Sequence, residues 1–185
     1  MRLKLTNVRI AFCQDLFKPG TFGGDPSAKP THSATFLIPK NDAQVSVIER
    51  AMAEVAKEKW DKKADKVLED LKKQDKVCLR DGDMKDKYDG FADCFYIKAN
   101  SPTKPGIFDK LLEPISEQSG IVYAGCYVNA SVDIYAQDNK WGRRINASLR
   151  GVQKAKDGDA FAAGAPASAD EFESIDDTGD NDDLV

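Results

Sequence analysis

Ile121-Val-Tyr-Ala-Gly-Cys-Tyr-Val-Asn-Ala-Ser-Val-Asp-Ile-Tyr-Ala136 decides the fold. Val122, Ala124, Cys126, Val128, Ala130, Val132, Ile134 and Ala136 share one parity and are all apolar, while Tyr123, Gly125, Tyr127, Asn129, Ser131, Asp133 and Tyr135 take the other. Successive side chains of a strand point to opposite faces, so this alternation predicts a strand with one buried and one wet face. The run of 16 residues is long for a strand. A bulge or a bend is therefore expected, with Gly125 a suitable place. Gln137 to Gly142 connects it to Arg143–Val152, where Ile145, Ala147 and Leu149 face in and Arg144, Asn146, Ser148 and Arg150 face out. The pair predicts a curved antiparallel hairpin with one polar surface.

Upstream, Arg2–Phe12 and His32–Ile38 read as strands, the second closed by Pro39, with a Gly- and Pro-bearing loop between them. Asn41 or Asp42 can cap a helical segment spanning about 42–75. Its apolar residues fall at Val45, Ile48, Met52 and Val55, then at Trp60, Ala64, Val67 and Leu71. Steps of three and four give one buried stripe, and the longer step from Val55 to Trp60 predicts a bend or two helices. Val77–Leu79 and Phe91–Ala99 are further strand candidates, and Ile107–Leu112 is a short helix or an edge element.

The chain has 27 Lys and Arg against 31 Asp and Glu, a net charge of -4. That average hides a split at Lys156. Asp157 to Val185 holds ten acidic side chains and no basic one, so a body of about +6 carries a tail of about -10. The expected organisation is one domain at 1–156 and a disordered acidic tail at 157–185, too poor in apolar residues to offset the entropy of ordering. Asp176, Asp177, Asp180, Asp182 and Asp183 concentrate the charge, and Leu184-Val185 end it with an apolar docking element. A tail of this kind either competes with a polyanion for the body or keeps the chain soluble.

No apolar run approaches a membrane span, and the alternating N-terminal segment does not read as a signal peptide, so an intracellular, membrane-independent protein is expected. Cys13, Cys78, Cys94 and Cys126 lack close pairing, and His32 is the only histidine. Buried reduced thiols are expected, with no metal and no cofactor. The chain also lacks a nucleotide-binding Gly-rich loop followed by lysine, a His-Glu-x-x-His motif and a credible Ser/His/acid set, so no catalytic residue is assigned. Asp81, Asp83, Asp86 and Asp93 leave a carboxylate-metal nuclease as an alternative, and the basic body leaves a protein-interaction module as another.

The polar face of the hairpin combines Tyr123, Tyr127 and Tyr135 with Arg144 and Arg150. Aromatic rings stack on unpaired bases whatever their identity, while cations follow the phosphates, which is the mixture that single-stranded nucleic acid requires. At the turn, Lys140, Arg143 and Arg144 flank Trp141, which either stacks on a base or folds back onto the end of the sheet. Tyr96 and Lys98 share a parity opposite to Phe95 and Ile97, and extend the binding face if the latter point inward. Arg9 and Lys104 are weaker candidates, being isolated cations.

At Val8-Arg-Ile-Ala-Phe12, Phe91-Ala-Asp-Cys-Phe-Tyr-Ile-Lys-Ala-Asn100, Gly125 to Ala136 and Ile145-Asn-Ala-Ser-Leu-Arg-Gly-Val-Gln153, the chain resembles bacteriophage single-stranded DNA-binding proteins related to the T7 type. That resemblance implies a mainly β, OB-fold-like antiparallel barrel decorated by a helical segment between strands, with an acidic C-terminal tail. It also implies non-catalytic coating of single-stranded DNA during phage replication and recombination, in the cytoplasm of the infected bacterial host cell. In T7-type proteins the tail contacts replication proteins, contributes to homodimer formation and competes with DNA. Their tail ends in an aromatic residue, where this chain has Leu184-Val185.

Overall fold

The structure, a computed structural model, describes residues 1–21, 25, 27–85 and 87–161. Its elements are β1 (Arg2–Ala11), β2 (His32–Pro39), α1 (Gln44–Trp60), α2 (Ala64–Lys73), β3 (Leu79–Asp81), β4 (Cys94–Ser101), β5 (Gly106–Phe108), β6 (Tyr127–Asn139) and β7 (Gly142–Lys156). The strands form one sheet in the order β3-β4-β2-β1-β6-β7-β5. A parallel pairing of β4 with β7, through Ala99 opposite Ala147, joins the sheet back on itself. The other pairings within β1-β2-β4 and β1-β6-β7 are antiparallel, so five strands make the closed, OB-like barrel that the resemblance implies.

The barrel is filled by the apolar parity of the hairpin. Val128, Ala130, Val132 and Ile134 of β6 meet Ile145, Ala147, Leu149 and Val152 of β7, together with Leu5, Val8, Ile10, Phe36 and Ile97. The long alternating stretch does not begin as a strand at Ile121. Gly125 adopts φ +104, and β6 starts only at Tyr127, although Gly125 and Cys126 still exchange hydrogen bonds with Ile10. Two register shifts along β6 and β7 absorb the remaining curvature.

The predicted break in the helical segment lies at Asp61, φ +47, where a short 3₁₀ turn separates α1 from α2. The N-cap position of α1 falls on Ala43, which makes no side-chain cap, and not on Asn41 or Asp42; Asp42, one residue further out, accepts a hydrogen bond from the Gln44 amide at 2.8 Å. Val45, Ile48, Met52 and Val55 of α1, with Val67 and Leu71 of α2, pack onto the barrel core. Among the described residues, no helix is long and apolar enough to cross a membrane.

A second apolar cluster, Ala11, Leu37, Phe91, Tyr96 and Phe161, sits outside the first. It forms because Phe91, which precedes β4, and Phe161, which follows β7, both pack over Ala11 of β1, Leu37 of β2 and Tyr96 of β4. Asp157 to Phe161, which the sequence reading places in the tail, thus lie on the body: the Phe161 amide donates to Ala124 O at 3.1 Å, and the Phe161 ring is 8% exposed. The acids from Asp170 onward and Leu184-Val185 lie outside the described residues.

Candidate nucleic-acid interface

Strand register places six residues in one row across the outer face. Arg80 of β3 is opposite Tyr96 of β4, Tyr96 is opposite Leu37 of β2, and Leu37 is opposite Arg9 of β1. Arg9 in turn is opposite Tyr127 of β6, and Tyr127 is opposite Lys156 of β7. Cations and rings therefore adjoin along a line that crosses every strand of the barrel. The Arg9 guanidinium carbon lies 5.7 Å from the centre of the Tyr127 ring, and Lys156 Nζ lies 4.3 Å from it. Such contacts keep positive charge beside an aromatic face without neutralising it.

Beside this row runs a groove of about 640 Å³, walled by Phe12, Phe17, Tyr88, Phe91, Val122 and Phe161. Phe12, which takes φ +45 as β1 ends, meets Tyr88 edge-on with ring centres 5.2 Å apart and Phe91 at 5.7 Å. Lys87 Nζ stands 5.3 Å from the Tyr88 ring, and Lys85 Nζ stands 5.1 Å from the Tyr96 ring. Tyr88 is 40% exposed at the mouth. The aromatic trough, which Lys87 lines together with Asp89 and Glu117, offers rings on which an unpaired base could stack.

The hairpin surface is more dispersed than its sequence suggests. Tyr123 does not share the face of Tyr127, because the strand has not yet begun there. Its hydroxyl lies 2.9 Å from Gly158 O and accepts from the Gly158 amide at 3.2 Å, while Lys154 Nζ stands 4.4 Å from its ring. Tyr123 thus ties down residues 157 and 158. Tyr96 also departs from expectation. It has the outward parity but is 5% exposed, since Phe91 packs on it at 5.4 Å and the outer face of β4 is covered at this point. A buried ring cannot receive a base unless that cover moves.

Trp141 does not fold back: it stands 73% exposed at the hairpin tip, with Lys140 Nζ 5.1 Å from its ring. Gly142, φ +92, lets the chain reverse behind it. Arg143 is engaged with Asp138 at 3.0 Å, and the Trp60 indole donates to the same carboxylate at 3.0 Å. These two hydrogen bonds, the indole's being the larger effect, lower the Asp138 pKa. Arg144 is exposed, opposite Gln137. Tyr135 is exposed further along β6, and Arg150 is paired with Asp133. Lys98 is exposed opposite Thr35, and Lys104 is exposed in the connection from β4 to β5.

Sequence reasoning passed over Phe12, Lys85, Lys87, Tyr88, Lys156 and Phe161. The interleaved Lys85, Lys87 and Tyr88 carried a usable signal, whereas nothing local announces that Phe161 returns to the body. Of the four carboxylates considered for a nuclease, Asp81 and Asp83 are engaged by a cation, and Asp86 lies outside the described residues. Lys40 Nζ forms ion pairs with Asp81 and Asp83, and Asp83 accepts the Asp93 amide at 2.9 Å. The Lys40 hydrogen bond holds the Asp81 carboxyl below its ordinary range. Among the described residues, no group of three His, Cys, Asp or Glu could hold a metal ion.

A family model described as Enterobacter phage Enc34, ssDNA-binding protein, matches residues 1–185. The chain belongs to the Enc34 single-stranded DNA-binding protein family. A family relative, Putative protein p50 of Acyrthosiphon pisum secondary endosymbiont phage 1, is 41% identical over 178 residues, covering 95% of this chain and 94% of the relative. The single-stranded DNA-binding protein from bacteriophage Enc34, solved in complex with single-stranded DNA, superposes with a TM-score of 0.70 at 25% identity, covering 86% of this chain and 88% of that one. The bacteriophage T7 single-stranded DNA binding protein gp2.5 matches with a TM-score of 0.58 over 94% of this chain and 98% of its own. At 12% identity, gp2.5 supports a shared fold alone. The Enc34 family thus sets its members' chemistry on the OB-like barrel described above.

Proposed function

We propose that this chain binds single-stranded DNA without catalysing a reaction, holding it on the Arg9-Tyr127-Lys156 row and in the adjoining aromatic groove. The observation that carries the proposal is the convergence of Phe12, Tyr88 and Tyr127 with Lys85, Lys87, Arg9 and Lys156, drawn from four separate segments onto one face. Stacking contributes about 1 to 3 kcal/mol per base and tolerates any sequence. Cations contribute by releasing counterions, so log K should fall with log salt by about 0.7 for each phosphate neutralised. Lys98, Lys104, Lys140, Trp141, Arg143 and Arg144 extend the positive surface away from this centre.

The acidic tail is the proposed regulator. Phe161 packs against Arg9 beside the groove, and acids tethered from that point would act at high local concentration. In this reading, DNA displaces the acids, and Leu184-Val185 with the neighbouring aspartates then recruits replication or recombination proteins of the infected bacterial cell. A homodimer formed through the tail belongs to the same reading.

A labelled oligothymidylate titrated at several salt concentrations tests both parts. Full-length protein should bind at about 0.15 M salt with a steep negative slope, and a chain ending at Phe161 should bind more tightly. Failure to bind would leave the basic face to an acidic protein partner. An unchanged or weaker affinity after truncation would remove the competing role of the tail.

A further inference from the structure

We propose that Arg2, Asp133, Arg150 and Tyr135 form a second nucleic-acid contact, separate from the groove, that takes a phosphodiester and its adjoining base. The inference rests on the reading of the chain as a single-stranded DNA-binding protein and extends the path of the strand along β6. Asp133 Oδ1 accepts from Arg2 Nε at 2.8 Å, and Asp133 Oδ2 accepts from Arg2 Nη2 at 3.2 Å and from Arg150 Nε at 2.6 Å. One carboxylate thus orients two guanidinium groups and leaves one positive charge uncompensated. Among the described residues neither guanidinium has another acceptor, so both terminal nitrogens of Arg150 and one of Arg2 remain available. Oriented guanidinium forks match the paired oxygens of a phosphate.

The backbone keeps Arg150 on the same face. Ser131 is opposite Gly151 and Val132 is opposite Leu149, which makes Arg150 the extra residue of a bulge in β7. Arg150 continues the outward parity of Ser148, and the bulge sets it beside Gly151 without turning it inward. Arg2 ties Asp133 to β1 and Arg150 ties it to β7, so the three strands hold both guanidinium groups beside one carboxylate. The cluster lines a groove of about 650 Å³ that also holds Tyr135, 41% exposed, and Ser148, which is opposite Asp133.

Tyr135 follows Asp133 by two residues on the same face, about 7 Å along the strand. Phosphate and ring partners therefore stand roughly one nucleotide apart. Tyr127 and Tyr135 share the outward parity of β6 through Asn129, Ser131 and Asp133, and eight residues of strand span about 26 Å. A strand leaving the Tyr127 end of the row can follow this polar face to the arginine pair.

The test compares oligothymidylates of about 6 and about 16 nucleotides, within the range of sites that OB barrels cover. Wild-type protein should gain affinity on lengthening beyond what extra registers supply. Arg2→Gln with Arg150→Gln should remove about tenfold of that gain and lower the salt slope for the long oligonucleotide by about 0.7, the value for one phosphate. Tyr135→Ala, which leaves the arginine contacts in place, should also reduce the gain and so separates binding from folding. An undiminished gain and slope in both variants would overturn the second contact. Equal weakening of both lengths would overturn its separateness. Binding of neither length by wild-type protein would instead reject the functional reading on which it stands.

Discussion

The Arg9 guanidinium lies 4.4 Å from the centre of the Phe161 ring and donates to Asp159 O at 2.6 Å and to Gly125 O at 3.1 Å. Residues 9 and 161 are thereby joined on the outer face of the barrel, and the chain leaving β7 becomes part of that face. Phe161→Ala should open the second cluster and cost about 3 kcal/mol, toward the lower end for a phenylalanine truncation. Urea unfolding should show the same loss for a chain ending at Lys156 and little loss for one ending at Phe161. Equal stability of all three would place Phe161 outside the folded unit.

Gly125 provides a second view of that junction. Its φ is +104, and an added Cβ would sit 2.1 Å from Asp159 O. Gly125→Ala therefore meets both backbone strain and a clash with main chain, and should destabilise by more than about 1 kcal/mol. Because the substitution acts by dislodging residues 159–161, its effect combined with Phe161→Ala should be less than additive. Thermal unfolding of the two single variants and the double variant measures this coupling.

Two rings of the proposed interface are accessible enough to remove without emptying the core. Tyr88→Ala and Tyr127→Ala should each weaken oligothymidylate binding by about 5- to 150-fold, the equivalent of one stacked base. Their unfolding midpoints should change little compared with that of Phe161→Ala. Trp141→Ala tests whether the exposed hairpin tip joins the path: a tenfold loss places it on the DNA, and an unchanged titration places it elsewhere.

Acid sensitivity should report on Asp133. The Arg2 hydrogen bond, with further help from Arg150, lowers its pKa from 3.8 to about 2. A carboxyl that is more acidic in the folded state adds stability above pH 3.8, and that stability disappears as pH falls toward 2. Asp133→Asn should therefore flatten the decline in unfolding midpoint between about pH 4 and pH 2 while lowering stability at neutral pH. Parallel curves for both proteins across that window would contradict the assignment.

The buried cysteines Cys78 and Cys126 should remain unreactive while the protein is folded. Desolvation raises the Cys13 thiol to about 11 and the Cys78 thiol to about 12, and it raises Cys126 as well. Thiolate, not thiol, attacks a disulfide reagent. At pH 8, half-exposed Cys94 should react first, and Cys78 only on denaturation. Rapid labelling of Cys78 in the native protein would reveal local opening near β3.

Several elements were legible locally because each carries its own period. The alternation from Tyr127 to Ala136, the stripe from Val45 to Leu71 and the step before Trp60 all anticipate what forms there, since one repeating face must be buried. Tyr127 and the exposed Trp141 beside Lys140 could be placed outward from the hairpin pattern, whereas Arg9 read as an isolated cation because only the pairing of β1 with β6 brings Tyr127 opposite it. Tyr96 and Tyr123 were misplaced because parity tells which side of a strand a residue takes, not what later covers that side.

The sequence by itself determined the β hairpin, the interrupted helical segment and the separation of basic body from acidic tail; these follow from local periodicity and composition. Only the tertiary structure decided that Phe12 meets Tyr88, that Arg9 and Lys156 flank Tyr127, that Tyr96 is covered, and that Phe161 belongs to the body. Those outcomes depend on apolar side chains far apart in the chain finding a shared way to leave water, a long-range choice that no local pattern records.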